Sequence, residues 1–227
     1  VGQVLLLETE ENTTVLSLNI NAIPSGEFRV VLREGSYAEH GDVLVDLGVL
    51  DTETGYFEEE IREDVSGNRL VYADLLNLDA HVEISGGLLS GGSEVVADIG
   101  INELTGNSNT YALVPVEDQD ASGKVDAYER ISGESMIRIT YTGSPAGQLH
   151  PVILYEGALG EGGDTLASLN SLDPSIGFVD AHLGRSNTGE ALGYQELIVL
   201  DGHIKIHLSQ SAFSIIIAAA DLGPDGN

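Results

Sequence analysis

Hydrophobic residues in this chain recur at every second position over short runs. Leu16, Leu18 and Ile20 alternate with Ser17 and Asn19, Val82 and Ile84 flank Glu83, and Ile204 and Ile206 flank Lys205. A period of two puts one face of a strand in a core and the other in water. Residues 214–220 (SIIIAAA) are apolar without a break and β-branched at the start, which predicts a strand buried on both faces. Glycine-rich breaks such as Ser85-Gly86-Gly87 and residues 160–163 (GEGG) supply turns between the strands. The pattern predicts an all-β protein.

The pattern also repeats. Leu16, Pro24 and Gly26 align with Ile137, Pro145 and Gly147, and residues 30–35 (VVLREG) align with 152–157 (VILYEG). Gly41-Asp42 meets Gly163-Asp164, Tyr72 meets Tyr194, residues 78–84 meet 200–206, and Asp98-Ile99-Gly100 meets Asp221-Leu222-Gly223. A nearly constant offset over a whole copy points to duplication. The expected fold is two tandem Greek-key β-sandwich domains. The first covers residues 1–109, a linking strand and loop cover 110–122, and the second covers 123–227.

Composition narrows the function. With 37 acidic and nine basic residues, the net charge is −28. Such a chain repels nucleic acid phosphates and anionic membrane surfaces, and it gathers cations. It has no cysteine, so no disulfide staples it. No apolar run reaches membrane-spanning length. Among so many acids, a carboxylate pair such as those in Glu58-Glu59-Glu60 carries no information about acid–base catalysis. No nucleophile elbow or phosphate-cradling loop stands in a strand–helix context, and no enzymatic activity is expected.

One stretch has the spacing of a twelve-residue calcium loop. Asp118, Asp120 and Ser122 take positions 1, 3 and 5, and Gly123 takes the sharp turn at position 6. The Lys124 carbonyl, Asp126 and Glu129 take positions 7, 9 and 12. The flanks are β-like, with Pro115 before the loop and Arg130 after it. The expectation is a calcium site between strands that stiffens a joint.

The second copy carries His150-Pro151-Val152-Ile153-Leu154-Tyr155-Glu156-Gly157, a Gly162-Gly163-Asp164 turn and His203-Ile204-Lys205-Ile206-His207. These segments resemble the chordin-type (CHRD) domains of bacterial secreted proteins, which are similar in fold to the copper–zinc superoxide dismutase sandwich. The resemblance implies a place outside the cell, on the surface or in a matrix. In that family further histidines could hold a transition metal. Here Ile153 and Tyr155 stand at two of those positions, leaving His150 and His207. Copper or zinc needs three or more such ligands, so neither is expected.

The ends of the copies differ. After Gly100 the first copy continues into the strand-like residues 110–116, whereas Asn227 follows soon after Gly223. Near the start, Val4, Leu5, Leu6 and Leu7 form an apolar strand that reads against Gly123-Lys124-Val125-Asp126-Ala127-Tyr128-Glu129, or more loosely against Leu113-Val114-Pro115-Val116-Glu117. These observations raise an expectation of assembly. The second sandwich would lack a strand, and the initial strand of another copy would complete it, giving a head-to-tail extracellular fibre. The alternative is a calcium-dependent surface adhesin or matrix module that binds glycan or protein.

Overall fold

The structure, a computed structural model, describes residues 2–21, 26–86, 95–116, 119–143, 147–160 and 162–226. Its contacts divide it into two compact units, Val1–Glu103 and Leu104–Asn227. Among the described residues the chain is all-β apart from two short helices and one 3-10 turn.

The first unit contains β1 (Gly2–Glu8), β2 (Thr14–Ile20), β3 (Phe28–Glu34), β4 (Val43–Leu50), β5 (Tyr56–Ile61), α1 (Tyr72–Leu76), β6 (Asp79–Gly86) and β7 (Val95–Gly100). Two antiparallel sheets result, in the orders β1-β2-β5 and β4-β3-β6-β7. Their inward faces make one core. Leu16, Leu18 and Ile20 from β2 meet Val30 and Leu32 from β3 and Val82 and Ile84 from β6. The alternation read in β2 is the alternation of its burial.

The second unit contains β8 (Leu104–Pro115), β9 (Ser122–Arg130), β10 (Ser135–Thr142), β11 (His150–Glu156), β12 (Thr165–Leu172), β13 (Phe178–Leu183), α2 (Tyr194–Leu197), β14 (Gly202–His207) and β15 (Ile216–Leu222). All eight strands form one sheet in the order β12-β11-β14-β15-β8-β9-β10-β13. Its end strands approach each other, so the sheet is a nearly closed barrel. Ile217, Ala218 and Ala220 of β15 belong to its core, as the unbroken apolar run requires. The segment expected as a linker, 110–122, is mostly β8 and the lead into β9.

The strand orders of the units correspond. β9-β10-β13 repeats β1-β2-β5, and β12-β11-β14-β15 repeats β4-β3-β6-β7. Local hydrogen bonds repeat as well. The His81 ring nitrogen Nδ1 donates to the Gly35 carbonyl at 2.8 Å, and His203 Nδ1 donates to the Gly157 carbonyl at 2.6 Å. Asp98 accepts from the Tyr37 amide, and Asp221 accepts from the Leu159 amide. The amide before each short helix donates to a carboxylate three residues on, Val71 to Asp74 and Gly193 to Glu196. One strand breaks the correspondence: β8.

Candidate functional site: an open strand slot in the first unit

β8 joins the two halves of the second unit. It runs antiparallel to β15 on one side and to β9 on the other. On its inward face Asn109, Tyr111 and Leu113 oppose Ala127, Val125 and Gly123. Tyr111 and Leu113 are buried in the core. The Tyr194 hydroxyl of α2 donates to Asn109 Oδ1 at 3.0 Å, which fixes the inserted strand from the side.

The first unit has the same frame with the slot open. β7 pairs only with β6, and β1 pairs only with β2. Among the described residues no strand lies between them. A groove of about 400 Å³ occupies the place, lined by Val4, Leu6, Ile84, Val95, Ala97 and the α1 residue Tyr72. Strand edges facing such a groove carry backbone donors and acceptors without a sheet partner. Val95 is 43% exposed at its rim.

This reverses the expected roles. β1 is paired to β2 in its own unit along its whole length, Gly2 opposite Ile20 through Glu8 opposite Thr14. The second unit, expected to be incomplete, is filled by β8. In the first unit no strand takes the corresponding place among the described residues. Val4 and Leu6 line the groove, while Leu5 and Leu7 lie on the outer face, 44% and 50% exposed. The physical reason lies in the hairpin: β8 is followed closely by β9 and zips against it from Tyr111–Val125 to Leu113–Gly123. It therefore serves the unit that follows it. The groove residues Tyr72, Val95 and Ala97 were missed in the sequence. The available signal was the match of Tyr72 to Tyr194.

The expected calcium ligands are not gathered. Asp118 lies outside the described residues. Ser122, Lys124, Asp126 and Glu129 all lie in β9, an extended strand. At ~3.3 Å per residue, Ser122 and Glu129 are roughly 20 Å apart, whereas ligands of one calcium ion sit within about 2.6 Å of it. Their carboxylates have protein partners instead. Asp126 is buried, accepts from Thr110 Oγ1 at 2.7 Å and pairs with Lys124 Nζ at 2.7 Å. Glu129 accepts from Asn107, Gln195 and Thr105 at 2.7, 2.9 and 2.8 Å, and these bonds hold its carboxyl below the usual range. A strand cannot wrap an ion, so Ser122, Lys124, Asp126 and Glu129 of β9 do not converge on one point. Among the described residues no three His, Asp or Glu side chains stand together as a metal would require.

The histidines are bound into the second unit. His150 Nδ1 donates to the Leu208 carbonyl at 2.7 Å. His207 Nδ1 donates to the Phe213 carbonyl, which leaves Nε2 to accept from the Tyr155 hydroxyl at 3.1 Å. Tyr155 stacks on His203 and His207 stacks on Phe213. Burial pushes the Tyr155 phenol up and the His207 imidazole down. No family model matches the chain, and no curated protein matches it.

Proposed function

We propose that the protein is a structural subunit of an extracellular filament, built from two copies of one CHRD-like β fold and joined head to tail by strand complementation. An extended strand of the neighbouring subunit completes the first unit, as β8 completes the second. The observation that carries this reading is the groove between β1 and β7, where no strand lies among the described residues, whereas β8 takes the corresponding place in the second unit. An unfilled sheet position exposes backbone groups and apolar walls at once, and a strand satisfies both. A contact between two different surfaces of one subunit continues indefinitely unless it closes on itself, which gives a fibre. The acidic surface suits a polymer that stays dispersed in salt. The reading needs no metal.

Val95→Asp tests it. Val95 stands at the slot rim and is part-exposed, so the change leaves the first core intact while placing a charge where the incoming strand would lie. Native full-length protein is expected to form fibres in negative-stain images, and the variant to remain monomeric by light scattering. Native protein that stays monomeric at every concentration, or a variant that polymerises equally well, overturns the reading.

A further inference from the structure

The β1–β2 hairpin turns through Thr9, Glu10, Glu11, Asn12 and Thr13. The Thr9 amide donates to the Thr13 carbonyl at 3.0 Å, and the Asn12 amide donates to the Thr9 carbonyl at 3.1 Å. The β9–β10 hairpin repeats both bonds, Arg130 to Glu134 and Gly133 to Arg130, at 2.9 Å each. Gly133 takes the left-handed position there, with φ +86°, and Asn12 takes it here, with φ +59°. Glycine meets that backbone demand at no steric cost, so the turn accepts asparagine without requiring it. Asn12 is exposed, and its side chain makes no hydrogen bond among the described residues. Two residues on, Thr14 shares the inward face of β2 with Leu16 and Leu18. It is fully buried, and its Oγ1 has no partner among the described residues. Valine has the same shape and would spare the cost of burying that hydroxyl. Ser135 likewise keeps an unpartnered buried hydroxyl at the matching place of the second unit. Only in the first unit does the hydroxyl stand two residues after an asparagine.

We propose that Asn12 is an N-glycosylation site and that Thr14 supplies the hydroxyl by which a glycosyltransferase reads it. Asn12-Thr13-Thr14 is the one Asn-x-Ser/Thr triplet in the chain. The co-substrate is an oligosaccharide linked through phosphate to a polyprenyl lipid. Asn12 Nδ2 forms a bond to the anomeric carbon of the first sugar, and the bond from that carbon to the phosphate oxygen breaks. The lipid phosphate leaves with the electron pair, and the amide gives up one proton to the transferase. This rests on the extracellular placement in the reading above, not on the filament. Thr14 is reachable only before β2 packs, so the sugar is added ahead of folding. The folded hairpin then carries it on its tip, where a bulky solvated group meets no core. A polar groove of about 350 Å³ flanks the tip, lined by Glu11, Thr13, Arg62 and Arg69. Its donors and acceptors suit the hydroxyls of a first sugar ring.

The test is mass spectrometry of the full-length protein purified separately from its source cells and from the material outside them. The peptide carrying Asn12 is expected to show the mass excess of one or more sugars, localised to Asn12 by fragmentation, on protein recovered outside the cell. Asn12→Gly, which installs the residue type of the second unit's turn, is expected to fold as the native protein does and to lose the sugar completely. Thr14→Val is expected to lose it as well, while Thr14→Ser keeps it, because the serine retains the hydroxyl. A bare Asn12 on protein recovered outside the cell, or a sugar retained on Thr14→Val, overturns the assignment and leaves the placement standing. Protein confined to the cytosol with a bare Asn12 overturns both.

Discussion

Gly223 sits where a side chain would collide with the backbone. Its φ is +62°, and a Cβ there would lie 2.1 Å from the Leu200 carbonyl oxygen. Gly100 repeats this in the first unit, with φ +63° and a Cβ 2.2 Å from the Leu78 carbonyl. Backbone cannot yield as a flexible side chain can, so left-handed strain and a clash add. Gly223→Ala is expected to cost about 2–4 kcal/mol in urea unfolding of the second unit; a change within error would contradict the close approach. His207 gives a pH dependence. Burial, aided by the Lys205 charge, pushes its pKa below the ordinary value, while the bond to the Phe213 carbonyl opposes this. The neutral form is therefore favoured by folding. The stability is fully present above the unfolded pKa of about 6.5 and is lost as pH falls through the lower folded value. Unfolding midpoints measured between about pH 7.5 and 5.5 should fall more steeply for the native protein than for His207→Gln. Equal slopes would show that His207 titrates alike in both states.

At the scale of elements, the strands were legible and one loop was not. Leu16, Leu18 and Ile20 announce β2 because a half-buried strand must alternate. The calcium spacing and the strand spacing overlap in this stretch. Asp118, Asp120, Ser122 and Asp126 occur at loop spacing, but Val125 and Ala127 occur at strand spacing within the same residues, and burial of those two decided the outcome. Side-chain order alone does not say whether Asp126 faces an ion or Thr110. The slot was illegible for another reason: which unit β8 completes depends on the short turn into β9, a matter of pairing rather than of apolar content. The consequence for metal is direct. Removing calcium with a chelator should move the thermal midpoint by less than about 2 °C, since one bound ion at saturating concentration would shift it by more. A large fall on chelation would require ligands other than the β9 set.

For the whole molecule the governing quantity is charge. At −28 over 227 residues, the chain repels itself and any other copy of it. Only nine basic residues are available to offset this, and several are committed locally, Arg33 to Glu83 and Arg138 to Asp180. Folding brings the acids together and the proposed assembly would bring them closer still, so both steps work against the same repulsion. Counter-ions weaken it over the Debye length, ~10 Å at 0.1 M salt and ~3 Å at 1 M. The two steps should therefore respond together. Raising sodium chloride from about 0.1 M to about 1 M is expected to lift the thermal midpoint by on the order of 5 °C and to favour fibres over monomers. The slot itself is apolar and backbone-lined, so salt should not disrupt the strand that fills it. That separates this assembly from one held by surface ion pairs, which the same salt would dissolve. Fibres that come apart as salt rises would place the subunit contact on charged surfaces rather than in the groove between β1 and β7.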